Sequence, residues 1–158
     1  MARELITSWA DYQTAIDRLL GIATKQICIY DEDLTTLKLD SPPRLAHIKR
    51  LVSGTRSDAL HIAVRNGSPL RNQHPLLQSL LTTYGHVAFA QETPAQLAHL
   101  RDSMIIADDK HGLIRFERDM PRSKLLIDES DELRPYLAKF REIWAEGGER
   151  ITNSTVGL

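Results

Sequence analysis

The sequence is short of several things, and each shortage narrows what it can do. It has one cysteine, Cys28, in 158 residues. No internal disulfide can form, and no Cys/His spacing for structural zinc exists. Aromatic residues are 6% of the chain, which argues against an array of base-stacking platforms. Neither sign of charge predominates: 20 Lys and Arg face 21 Asp and Glu. Attraction to nucleic acid or an anionic membrane would therefore have to be local. No apolar run approaches a membrane span, and the opening MARELITSWADYQ is too polar for a signal peptide. A cytoplasmic protein is expected. Walker, Gly-x-Gly-x-x-Gly, Gly-x-Ser-x-Gly and His-Glu-x-x-His motifs are absent. So are internal repeats and low-complexity segments. No cofactor and no metal site is expected.

What is present is an ordinary globular composition, 42% hydrophobic and 26% charged. A chain of this length buries roughly 70% of its unfolded surface. We expect one domain over residues 1–148 and a flexible tail over 149–158, after Gly147-Gly148. Ser8 with Asp11 reads as a helix start, and Trp9, Tyr12, Ile16, Leu19, Leu20 and Ala23 share one face. Ile27–Tyr30 reads as a buried strand ending in Asp31-Glu32-Asp33, a solvated corner rather than a metal site. Ser41-Pro42-Pro43 opens a second helix that stops at Gly54. Leu60–Val64 is the next strand, with His61 a core or edge residue. Arg65–Pro75 reads as a loop, and a helix follows up to Gly85. His86–Ala90 is the third strand.

Met104–Ala107 and Leu113–Phe116 read as a hairpin buried on both faces, joined by the polar turn Asp108–Gly112. Lys124–Ile127 reads as an edge strand. Leu133, Tyr136, Leu137, Phe140, Ile143 and Trp144 form the stripe of a long final helix, with Pro135 confined to its first turn. This alternation predicts an α/β fold: a mixed, mostly parallel sheet with helices on both faces. Ligands of such sheets sit off the carboxyl ends of the strands. We place Asp31–Asp33, Arg65–His74, Gln91-Glu92 and Asp108–His111 there.

Two clusters carry candidate chemistry. Arg71-Asn72-Gln73-His74-Pro75 precedes a helix, where main-chain N–H groups favour an anion; the ordinary alternative is a helix cap. Asp108-Asp109-Lys110-His111 holds the residue types for acid–base work, although turns favour Asp and Gly for backbone reasons alone. The ligand-binding candidates are Arg65, Arg71, Asn72, His74, Asp109 and His111.

The order of elements resembles the phospholipase D superfamily. Its catalytic motif is His-x-Lys-x4-Asp on a hairpin, followed by a helix carrying a Phe…Trp face. His99-Leu100-Arg101 and Ser103–Asp108 lie where that motif belongs, and Phe140…Trp144 where the helix belongs. Arg101 stands in for the lysine, the seventh position after His99 is Ile106, and the acid comes at Asp108. His99, Arg101, Asp108 and His74 are thus the catalytic candidates. His74-Pro75-x-Leu77, Met104–Asp108 with Gly112–Arg115, and Phe140-x-x-x-Trp144 are similar to the uncharacterised, degenerate phospholipase D-like domain fused to bacterial GNAT-type acyltransferases. That likeness implies a bacterial, non-catalytic domain with an acyltransferase-type protein partner.

Three functions follow. The first is a non-catalytic binding or interaction module for a phosphate-bearing small molecule. The second is a phosphodiesterase or nuclease with a site shared across a homodimer. The third is a nucleic-acid-binding module using Arg44, Lys49, Arg50 and Arg56 with Arg65 and Arg71. Surplus apolar surface on the first or last helix predicts a homodimer.

Overall fold

The computed structural model describes residues 1–54 and 57–151. The elements run β1 (Ala2–Ile6), α1 (Trp9–Ile22), β2 (Ile27–Asp31), α2 (Pro42–Val52), β3 (Leu60–Val64), α3 (Ser68–Gln73), α4 (Pro75–Thr83) and β4 (Ala88–Glu92). They continue, after a 3-10 turn at Ala95–Leu97, as β5 (Ser103–Ala107), β6 (His111–Arg115), β7 (Ser123–Ile127), α5 (Ser130–Ala145) and β8 (Glu149–Arg150). One sheet takes all eight strands in the order β1-β7-β6-β5-β2-β3-β4-β8.

The sheet is mixed, and its parallel part is confined to β2, β3 and β4. All other pairings are antiparallel. Alternate residues along each strand feed two cores. Ile27, Ile29, Leu60, Ile62, Ile105 and Leu113 pack with α1, α2 and α4 on one face. Cys28, Tyr30, Ala63, Met104, Ile106, Ile114 and Leu126 pack with α5 on the other. Both faces are covered, so β2, β5 and β6 are buried throughout, including the polar residues Asp31, Ser103, His111 and Arg115 at their ends.

Local chemistry fixes the helix ends. The Asp11 N–H donates to Ser8 Oγ at 3.1 Å and starts α1. Proline occupies the first turn of α2. Gly112 belongs to β6, not to the turn. A Cβ there would collide with the Leu133 side chain, so glycine lets α5 lie close on the sheet.

Several expectations need correction. β1 is an added edge strand, which moves β7 inside the sheet. Ser68–Gln73 is a short helix, not loop. Pro135 lies inside α5, past its first turn, which begins at Ser130. Glu149 and Arg150 pair with β4 and Ile151 is buried, so the domain runs past residue 148. The remainder of the expected tail, 152–158, lies outside the described residues, as does Arg56. Trp9 is 39% exposed instead of joining Tyr12 in the core. Among the described residues, no helix is long and apolar enough to cross a membrane.

Candidate functional site

Strand direction decides which side chains meet. β2 and β3 end at the carboxyl edge of the parallel unit. β5 runs antiparallel to β2, so it begins there, at Ser103; β6 ends there, at Arg115. Asp31, Ser103 and Arg115 consequently converge, each about 1% exposed. Arg115 Nη2 donates to Asp31 Oδ1 (3.1 Å) and Ser103 Oγ (3.2 Å), and Ser103 Oγ donates to Asp31 Oδ1. Arg115 Nη1 donates to the Arg118 carbonyl at 2.6 Å. The guanidinium lies over the rings of Tyr12 (5.1 Å) and Trp9 (5.5 Å). The other carboxylate oxygen of Asp31 accepts the N–H groups of Asp33 (3.2 Å) and Leu34 (2.8 Å). It thereby holds a loop in which buried Leu34 adopts φ +71°, a strained conformation for leucine.

Beside this network, Glu32 Oε1 accepts from Arg65 Nε and Arg118 Nη1, both at 2.9 Å. Burial raises the Glu32 pKa, but the hydrogen bonds from the two arginines outweigh it and hold the carboxyl below its ordinary range. Arg65 also donates to the Asp102 carbonyl and stacks over Tyr30, 4.8 Å from the ring centre. Its Nη2 and the Tyr30 hydroxyl are buried without a hydrogen-bond partner. Lys139 from α5 reaches the Asp102 carboxylate at 2.7 Å. Arg101 is exposed and held by Glu117 and by Asp119.

The expected site residues do not assemble. His99 is exposed on the turn before β5. Asp108, Asp109 and His111 lie at the far end of β5, about 17 Å away along a five-residue strand. The Asp108–His111 turn is therefore on the amino edge, opposite Arg65, Arg71 and His74, because β5 runs against the parallel strands. Asp108 accepts main-chain N–H groups from Thr24, Lys25 and Gln26. His111 Nδ1 accepts the Asp128 N–H at 2.8 Å, and burial, reinforced by Lys110, lowers its pKa, so the ring is a neutral acceptor. His74 is buried and pairs Nδ1 with the Pro69 carbonyl at 2.8 Å, tying α3 to α4. Arg71 faces Glu92 and Glu149, and Asn72 is exposed.

Of the basic residues expected to cluster around α2, Arg44 and Arg50 are engaged internally, while Lys49 is exposed. Arg44 is buried against Asp17, Gln13 and the Leu37 carbonyl. Arg50 caps the end of α1 through the Leu20 and Ala23 carbonyls. Among the described residues no group of His, Cys, Asp and Glu side chains is placed to hold a metal ion.

The family described as "Domain of unknown function (DUF7931)" matches residues 8–152. The chain belongs to that family. Among curated proteins none matches. Solved structures share the fold of this DUF7931 domain at low identity. TrmBL2, described as an archaeal chromatin protein with a novel mode of DNA binding, superposes with TM-score 0.67 at 13% identity, over 96% of this chain and 55% of its own. The chain thus spans about half the length of TrmBL2. Nuc from Salmonella typhimurium, a phospholipase D family member, gives 0.62 at 12%, over 96% and 98%. NucT from Helicobacter pylori gives 0.54 at 10%, over 96% and 98%. The fold is phospholipase D-like.

On that fold the motif frame moves. Asp108 stands seven residues after Arg101 and five after Ser103. The His-x-Lys-x4-Asp spacing is met with Arg101 in the histidine position and Ser103 in the lysine position. Counted from His99, the seventh position is Ile106. Sequence reading overlooked Ser103 and Arg115 as site residues. Spacing counted back from Asp108 reaches Ser103; Arg115 left no such signal in the sequence.

Proposed function

We propose that this domain is a non-hydrolytic phospholipase D-like module that binds a partner through the carboxyl edge of its sheet. One observation carries the reading. The two motif positions at that edge hold Arg101 and Ser103, which are engaged with Glu117 and Asp119 and with Asp31 and Arg115. Attack on phosphorus by histidine needs a free imidazole beside the cations that hold the phosphate. His74 is committed to a carbonyl, and His99 lies on an exposed turn.

A phosphate-bearing ligand fits where Glu32 now bridges Arg65 and Arg118, because a carboxylate there occupies the place of an anion. Glu32→Gln is expected to tighten binding of inorganic phosphate by about tenfold, read by calorimetry. The same preparation is expected to release no p-nitrophenol from bis-p-nitrophenyl phosphate. Turnover abolished by His99→Ala would instead establish the phosphodiesterase reading. An acyltransferase-type partner remains part of the proposal, through the resemblance given above.

A second reading, nucleic-acid binding, draws on Arg118 within the partly exposed Phe116–Met120 loop, on Arg122 just beyond it, and on the likeness to TrmBL2. It requires affinity for a short oligonucleotide that falls steeply with salt. We also propose that the domain pairs as a two-fold dimer. α5 buries Leu133, Phe140 and Ile143 and half-buries Tyr136, Leu137 and Trp144, while Trp9, Phe116 and Met120 are exposed at 39%, 42% and 55%. Light scattering at micromolar concentration is expected to give twice the monomer mass; a monomer mass unchanged on concentrating refutes the dimer.

A further inference from the structure

On the sheet face away from α5, two of the covering helices leave an open trough between them. α2 and α4 run side by side in the same direction. The Leu77 N–H, in the first turn of α4, donates to Asp40 Oδ1, just ahead of α2, at 2.6 Å. At the other end Ser53 Oγ, closing α2, donates to the Tyr84 hydroxyl, closing α4, at 3.3 Å. Residues three and four apart share a helix face, so each helix turns one stripe toward the other. Leu45 and Ala46 of α2 and Leu76 and Leu80 of α4 line a cavity of about 330 Å³, within the size range of small-ligand pockets. Its two ends differ. Pro42 and Leu76 lie at one, with Leu76 53% exposed. Lys49, Thr83 and Tyr84 lie at the other.

The lining selects a ligand by its two ends. Among the described residues Lys49 is the one charged side chain in the trough; it is exposed, and no carboxylate among them pairs with it. An anion is favoured at that end, where the Thr83 and Tyr84 hydroxyls add hydrogen-bonding groups. Away from Lys49 the lining is mainly aliphatic and favours a chain over a second polar group. Pro42 and Lys49 are two helical turns apart, about 10 Å, the length of an extended chain of about eight carbons. A stable protein partner needs roughly 800 Å² on each side, more than a trough two turns long presents. From this geometry we infer that the α2–α4 trough binds a medium-chain aliphatic carboxylate. Its head group meets Lys49, and its tail runs along Leu80 and Leu45 toward Leu76 and Pro42. Binding is non-covalent. The trough shares no residue with the phosphate site proposed at the carboxyl edge, so the two proposals stand or fall separately.

The probe is sodium octanoate, titrated into the full chain and followed by backbone amide chemical shifts. Saturable shifts are expected, confined to α2, α4 and the residues at their ends. Hexanoate is expected to bind about tenfold more weakly, because each buried methylene contributes about fourfold. Octylammonium has the same length and the opposite charge, and is expected to bind at least about tenfold more weakly than octanoate. Lys49→Gln is expected to weaken octanoate by about fivefold and to leave octanol unchanged, which separates lost charge from lost structure. Ala46→Phe fills the trough from an exposed helix position and is expected to abolish binding of both, with urea midpoints showing that each variant is folded. Several results overturn the inference: no saturable shifts, shifts centred elsewhere in the fold, equal affinity for octanoate and octylammonium, or octanoate binding unaltered in either variant. A mass that halves in light scattering on Leu76→Asp assigns the trough to a second copy of the chain, and overturns it as well.

Discussion

Asp31→Asn is expected to destabilise the fold by about 3–5 kcal/mol, read from urea unfolding, because it leaves a buried guanidinium without its counter-charge. The Asp31 and Arg115 side chains are 2% and 1% exposed and 3.1 Å apart. Arg115 has no water to fall back on. The aromatic rings above it compensate only part of a full charge. Adding Arg115→Met removes the orphaned charge and puts a flexible apolar chain against Tyr12 and Trp9. The double variant should recover more than half of the loss, since a buried ion pair is often no more stable than a well-packed apolar pair. A loss below about 1 kcal/mol for Asp31→Asn would mean that Arg115 finds its compensation elsewhere.

The second large effect is expected at the other end of β5. Asp108→Ala should cost about 2–4 kcal/mol, since hydrogen bonds to a charged group contribute about 1.5–3 kcal/mol each and add incompletely. The carboxylate accepts from Thr24 N (3.0 Å), Lys25 N (2.7 Å), Gln26 N (3.0 Å) and Thr24 Oγ1 (3.2 Å). It fastens the α1–β2 corner to the β5–β6 turn. Burial pushes its pKa up, but the N–H donors of Gln26, Thr24 and Lys25 outweigh this and leave it below the ordinary aspartate value. The folded state therefore binds fewer protons than the unfolded chain. This stabilisation is complete above the unfolded pKa, about 3.9, and is lost as pH falls through the lower folded value. Urea midpoints between about pH 5 and pH 2 should fall less steeply in Asp108→Ala than in the parent chain. An unchanged slope would show that other carboxylates govern acid unfolding. Asp108 is thus held in place by the architecture, through its main-chain partners at the α1–β2 corner.

Apolar runs and end signals made much of this fold readable. Ser8, Ser41-Pro42 and the Ile27–Tyr30 run announce α1, α2 and β2, because caps and burial act locally. β1 escaped notice because Ala-Arg-Glu-Leu-Ile has an edge strand's polar alternation, which an exposed segment shares. β8 is two residues long and exists only through its pairing with β4. The candidate site was harder to see. Arg115 falls within the expected Leu113–Phe116 strand, and the pattern does not say what its charge meets. Its burial comes from Tyr12, Trp9 and Asp31, which are distant in the chain. Strand direction also hid the edge to which Asp108–His111 belongs, since sequence pattern does not say whether a strand is parallel.

The pairing of β1 sets an order of assembly. Ala2 lies opposite Ile127 and Ile6 opposite Ser123, so β1 is made well before the strand it pairs with. β2, β3 and β4 can close through short local connections, and β5, β6 and β7 through consecutive turns. The partner of β1 arrives late in the domain, and the contacts of this strand carry the largest loop-closure cost in the sheet. During synthesis the outer edge of β7 has no strand to pair with until β1 folds back onto it. The exposed edge of the newborn chain is then β7, buried in the finished domain, and chaperone or self-association traffic has its opening there.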